Sequence, residues 1–169
     1  VLSTVNSLLQ RVPPRHALAG ASFALRSGAK LELDALFAYL EGNGFTRGGT
    51  VMEAGDYAVR GGIVDIFPPG AAEPVRLDLF GESLEAIKTF DPVSQRSIGT
   101  LESLSLMPVS EVVLNDETVA RFKSGYRSQF GAVTSTDSLF EAIDAGRRYP
   151  GMEHWLPFFH DKLETIFDY

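Results

Sequence analysis

Tyr57-Ala58-Val59-Arg60-Gly61-Gly62-Ile63-Val64-Asp65-Ile66-Phe67-Pro68, followed by Val75-Arg76-Leu77-Asp78-Leu79-Phe80, sets the architecture of this chain. In the second run apolar side chains fall at every other residue, the period of a strand with one face on a core. The same rhythm extends outward and predicts strands over residues 51–54, 57–60, 62–67, 75–80, 84–90 and 100–106. Turn residues separate them: Gly55-Asp56, Gly61-Gly62, Pro68-Pro69-Gly70, Gly81 and Asp91-Pro92. No helix-length segment lies between these strands. Antiparallel meanders are therefore expected, not β-α-β crossovers.

On either side of this region the period lengthens. Upstream, residues 22–26 read as a strand and Ser27-Gly28 as a turn. Leu33, Leu36, Phe37 and Leu40 then form the apolar stripe of a helix that Gly42 and Gly44 stop. Further upstream, Val5, Leu8, Leu9 and Val12 share one helical face over residues 4–12, and Pro13-Pro14 ends that run. Downstream of Pro108, Val119, Phe122 and Tyr126 predict a helix over 116–130, and Leu139, Ala142 and Ile143 a second before Gly146. The tail, 152–169, carries Trp155, Phe158, Phe159, Phe167 and Tyr169 and needs a surface to bury against. The expected class is α+β. Segment 1–21 ends one element, 22–106 forms a small α+β module, and 107–169 is a helical return that belongs with the first segment.

Composition narrows the functional classes. The chain has 169 residues, 44% hydrophobic, enough for one or two small cores. It has no cysteine, so neither a disulfide framework nor a thiolate metal site is available. No apolar run approaches the roughly 20 residues that span a bilayer, and the N-terminus lacks the basic start and apolar stretch of a signal peptide. The reading is a cytoplasmic chain. The formal net charge of −7 opposes a duplex-binding surface, which gains affinity by releasing counterions from phosphates. Val1 is not an initiator Met, and the expectation is a fragment of a longer protein.

Catalytic constellations are missing. No G-x-x-x-x-G-K-[ST] phosphate loop occurs, and Gly61-Gly62 lacks the lysine and hydroxyl residue of one. His16, His154 and His160 have no zinc-ligand spacing, so surface or packing roles fit them better. No G-x-S-x-G elbow marks a nucleophile. Paired carboxylates such as Asp78 and Glu82 read as solvated strand-end residues. The expectations are no catalytic residue, no cofactor and no metal.

One strand invites a binding reading. If Val75, Leu77 and Leu79 face the core, then Arg76, Asp78 and Phe80 share the opposite face. Phe80 either stands in solvent beside an arginine, a pairing enriched at binding hot spots, or folds back at the strand end onto the core. Arg60 likewise lies opposite Tyr57 and Val59, where an ordinary surface arginine would also sit.

The runs 57–68 and Pro74-Val75-Arg76-Leu77-Asp78-Leu79-Phe80-Gly81-Glu82, with Phe90-Asp91 and Ser94-Gln95-Arg96-Ser97, resemble the module shared by UvrB and the transcription-repair coupling factors. The resemblance covers nearly the whole chain. Leu9-Gln10-Arg11-Val12-Pro13-Pro14 is similar to the end of the first subdomain of the UvrB-homology region. Gly151-Met152-Glu153-His154-Trp155-Leu156-Pro157-Phe158-Phe159 resembles coupling factors and not UvrB.

The resemblance implies a mainly antiparallel β-sheet module with a helix, inserted in a partial, degenerate helicase-like α/β domain that contributes helices at both ends. It implies UvrA as the partner, with Arg60, Arg76 and Phe80 at the contact: Phe80 filling a pocket and the arginines pairing with carboxylates of UvrA. RNA polymerase and DNA would be engaged by other parts of the family's full-length protein, including an ATP-driven translocase. A C-terminal domain would mask this face at rest, so a chain without it should bind constitutively. Leu79, where an aromatic is common, and Ser83, where an acidic residue is common, depart from the pattern and leave the three contact residues intact. The alternatives are a UvrB fragment touching damaged DNA as well as UvrA, a small nucleic-acid-binding module on the β-rich region, and, weakest, a hydrolase.

Overall fold

The computed structural model describes residues 2–18, 21–133 and 137–168. The chain is mixed α+β and divides into two units, Ala21–Val109 and the pair Val1–Gly20 with Ser110–Tyr169.

The first unit begins with strand β1 (Phe23–Arg26) and helix α1 (Leu33–Gly42). The helix exists because its predicted stripe has a core to meet: Leu36 and Leu40 are fully buried, with Leu33 and Phe37 packed beside them. Complete burial of one such side chain contributes roughly 1.5–3 kcal/mol. Tyr39, on the same helix, donates its hydroxyl to the carbonyls of Ala21 (2.8 Å) and Leu106 (3.0 Å). Burial pushes that phenol up to about 12.

Six strands follow in one sheet: β2 (Thr46–Arg47), β3 (Asp56–Arg60), β4 (Ile63–Ile66), β5 (Val75–Phe80), β6 (Ser83–Phe90) and β7 (Ser97–Leu101), in that spatial order. Strand β8 (Ser103–Leu106) pairs instead with β1. From β3 to β7 every pairing is antiparallel, as the short turns require. Tyr57, Val64, Ile66, Val75, Leu77 and Ile87 line the face that meets α1.

Three sequence expectations are corrected and one strand is added. Residues 51–54 are not a strand, because the Asp56 carboxylate accepts the backbone N–H groups of Met52 (3.1 Å) and Glu53 (3.0 Å) and curls the chain into a turn. Residues 100–106 are two strands in two sheets, with Glu102 between them. Thr46–Arg47 adds an unforeseen parallel pairing, to Asp56 and Tyr57. The 4–12 helix shrinks to α2 (Val5–Leu9), capped by the Thr4 hydroxyl, with no buried residue to extend it. Val12 leaves helical geometry for a bridge to Glu164.

The second unit also holds the short helix α3 (Arg15–Leu18), the long helix α4 (Asp116–Phe130) and α5 (Ser138–Asp144). Helix α4 starts where Asn115 and Thr118 cap each other reciprocally, satisfying N–H groups that a helix start leaves open. Its Phe122 is fully buried and stacks on Phe159 with ring centres 5.0 Å apart. The aromatic tail thus finds its surface on α4. It does so as a 3-10 helix, Met152–Phe158, with Pro157 inside it. Phe167 is exposed, and Tyr169 lies outside the described residues.

Candidate functional site

Strand pairing alone brings the site together. Asp65 on β4 stands directly opposite Ala58 on β3 and Arg76 on β5. Arg60 pairs with Ile63, so it is the diagonal neighbour of Asp65, within reach of a long side chain. All four residues occupy the face opposite Val64, Leu77 and Tyr57, since side chains alternate.

Asp65 is fully buried, the sole charged residue so placed among the described residues. An isolated buried carboxylate would be very costly, so it must be paired. Arg76 grips it with a two-toothed fork: Nε donates to Oδ1 (2.7 Å) and Nη2 to Oδ2 (2.9 Å). Arg60 Nη2 donates to the same Oδ2. Arg76 also donates from Nη1 to the carbonyl of Gln95 (3.3 Å), and its guanidinium lies 4.7 Å from the centre of the Phe90 ring. Hydrogen bonding to Asp65 holds the Arg76 guanidinium above its already high ordinary value, against the opposing effect of burial.

The two arginines therefore differ. The Arg76 side chain is 16% exposed and Arg60 47% exposed. Both are committed to one carboxylate of the chain itself, and the trio carries a net charge of +1. Beside them Asp78 takes Lys88 as its partner (2.5 Å) and Glu82 takes Lys30 (2.8 Å).

Phe80 is 81% exposed at the end of β5. Its position has two causes. The β5–β6 register slips between Asp78 and Leu79, so one extra residue, Glu85, bulges from β6 and re-aims the strand ends. The Ser27 hydroxyl bonds the Glu85 carbonyl at 2.9 Å. A two-residue turn, Gly81-Glu82, then closes the hairpin directly after Phe80, with Gly81 at φ +60°.

The β3–β4 hairpin closes the same way at Gly61-Gly62, and the Leu79 N–H donates to the Gly62 carbonyl (2.8 Å). Both turns consequently lie at one end of the sheet, with Arg60 and Phe80 beside them. Asp65, which organises the arginines, was missed in the sequence. Its signal was an acidic residue inside Ile63-Val64-Asp65-Ile66, where strands disfavour one.

The histidines take other places. His160 is half-buried and its Nε2 lies 3.2 Å from the Glu111 carbonyl. Burial, chiefly, lowers its affinity for a proton. His16 and His160 line a cleft with Arg121 and Asp161, where Arg121 is already paired with Glu117 and Asp161. Among the described residues no group of three or more His, Asp or Glu is placed to hold a metal, and no helix is long and apolar enough to cross a membrane.

Residues 23–112, more than half of the chain, match the family described as the UvrB interaction domain. Over its whole length the chain is also similar to curated transcription-repair-coupling factors. It is 33% identical to that of Haemophilus influenzae (99% of this chain, 15% of the relative). For Escherichia coli K12 the figure is 34% (98% and 14%), and for Rickettsia bellii 35% (100% and 15%). The chain spans about 15% of the length of these relatives.

Proposed function

Since the chain belongs to the UvrB interaction domain family and is similar end to end to transcription-repair-coupling factors, we propose that it is a non-catalytic docking segment that binds UvrA. The docking surface is the end of the six-stranded sheet that carries Phe80 and Arg60, with Arg76 further back along β5 on the same face. Phe80 is the anchor and fills an apolar pocket of UvrA. Arg60 offers the outward-facing charge to an acidic group there, and Arg76 stands behind it.

The observation that carries this reading is the exposure of Phe80. A large aromatic ring, 81% exposed, projects from a strand whose Val75 and Leu77 are buried, at the same end of the sheet as a paired but half-exposed arginine. Leaving such a ring in water contributes nothing to folding, whereas aromatic and arginine side chains dominate interface energetics. In the whole protein this contact would bring UvrA to RNA polymerase halted at a DNA lesion and so start nucleotide excision repair. Contacts with polymerase and DNA are assigned to the parts of such a protein that this chain does not include.

A titration of UvrA against the chain and its Phe80→Ala variant tests the proposal. Truncation should cost about 2 kcal/mol or more, some 30-fold in affinity. The thermal midpoint should not move, because the ring buries little. A folded variant with wild-type affinity would remove Phe80 from the site.

A further inference from the structure

We propose that Asp65 is the positioning residue of the docking surface, and that Arg76 acts chiefly through it, leaving Arg60 as the one arginine that meets UvrA. This rests on the UvrA-docking reading above and divides its labour.

Three observations lead there. First, Asp65 is fully buried, so no partner can reach it; its whole effect passes through the residues it holds. Second, it accepts from both arginines at once, and the geometry is unequal. Arg76 spends Nε and Nη2 on the carboxylate and Nη1 on the Gln95 carbonyl. With its guanidinium also against the Phe90 ring and only 16% of its side chain exposed, Arg76 has little left to offer outward. Arg60 contributes one Nη2 to Asp65 and remains 47% exposed.

Third, the Gln95 carbonyl that Arg76 holds belongs to an unusual loop. Gln95 has φ +60°, costly for a residue with a side chain. Its backbone N–H is held by the Asp91 carbonyl (2.8 Å) and its Nε2 by the Pro92 carbonyl (2.7 Å). Arg76 thus fixes Asp65 on one side and a braced loop on the other.

A guanidinium pinned in one rotamer reaches a partner without losing side-chain freedom on binding, which is how preorganisation raises affinity. The trio's net charge of +1 also defines the partner's chemistry. One carboxylate beside an apolar pocket balances it; two would leave a negative charge buried.

The test compares UvrA affinity for the wild-type chain, Phe80→Ala, Asp65→Asn, Arg76→Lys, Arg60→Ala and the double variant Asp65→Asn/Arg60→Ala, with far-UV circular dichroism and a melt for each. Asp65→Asn keeps shape and removes the charge that orders Arg60. It should weaken binding about tenfold or more, yet by less than about twofold when Arg60 is already Ala. That non-additivity marks action through Arg60, and a general loss of stability would not produce it.

Arg76→Lys keeps the charge but loses the fork and the Nη1 bond. It should weaken binding as Asp65→Asn does, and it decides the matter should Asp65→Asn fail to fold. Wild-type affinity for folded Arg76→Lys, or full additivity of Asp65→Asn with Arg60→Ala, would overturn the proposal. If Phe80→Ala abolishes binding while Asp65→Asn leaves it intact, only the positioning role falls. If Phe80→Ala binds normally, the docking site itself falls.

Discussion

At the scale of single residues, this chain places charge where it is held and an apolar ring where it is not. Asp65 is buried with two guanidiniums, while Phe80 stands in water. The helical unit shows a second held carboxylate. Tyr126 donates its hydroxyl to Asp137 Oδ2 at 2.6 Å, and Asp137 Oδ1 accepts the Phe140 N–H that opens α5. The Tyr126 bond is the main reason the Asp137 carboxyl sits below its ordinary range, and it pushes the Tyr126 phenol up to about 12. Because the folded-state value of Asp137 is depressed, its contribution to stability is present above the ordinary carboxylate range. It is lost as pH falls through the lowered value. Tyr126→Phe should therefore destabilise the chain near neutrality, by about 1 kcal/mol, below the usual value for a hydrogen bond to a charged group because solvent screens Asp137. It should also flatten the loss of stability on the acid side. Chemical denaturation at pH 7 and at pH 3 measures both, and parallel curves for variant and wild type would contradict the assignment. The Asp65 trio and this pair were invisible to periodicity for one reason. Alternation reports which face a residue occupies, not which neighbour across the sheet or helix it meets.

At the scale of elements, two close approaches are built on missing side chains. A Cβ on Gly62 would lie 2.8 Å from the Leu79 carbonyl oxygen, a backbone atom that cannot swing away. A Cβ on Gly125 would lie 2.6 Å from Cδ1 of Phe158, where α4 receives the 3-10 helix. Gly62→Ala and Gly125→Ala should each cost about 1–3 kcal/mol, the usual penalty of overpacking. Gly42→Ala, at the end of α1 with open space around it, should be neutral or slightly stabilising. Urea midpoints for the three variants check this, and an unchanged midpoint for Gly62→Ala would mean the two hairpins do not meet as described. Gly62→Ala should also weaken UvrA binding, since that contact ties the turn after Arg60 to the end of β5 that carries Phe80. The sequence made most of these elements legible: α1 through its stripe, α4 with matching bounds, β5 through its alternation. It failed where a side chain or a bulge outvoted the period. Asp56 turned 51–54 into a loop, and the chain broke at Glu102 between two sheets.

At the scale of the whole molecule, each unit has its own apolar core: one between α1 and the sheet, the other around Phe122, Tyr126 and Phe159. The family match over residues 23–112 falls almost entirely on the first unit, which also contains Arg60, Arg76 and Phe80, the residues proposed for docking. The sequence carried the family and the α+β class because long runs of residues carry both. It did not carry the electrostatic design of the site, because that depends on register between three strands and on which arginine ends up buried. The central claim is that UvrA covers the end of the sheet where the two hairpins turn. Amide hydrogen exchange of the chain, alone and with saturating UvrA, tests it most directly. The account predicts slowed exchange concentrated in residues 60–63 and 79–83, and the same pattern lost for Phe80→Ala. Protection confined to the exposed β7 edge or to the helical unit, with both turns exchanging as in the free chain, would contradict it.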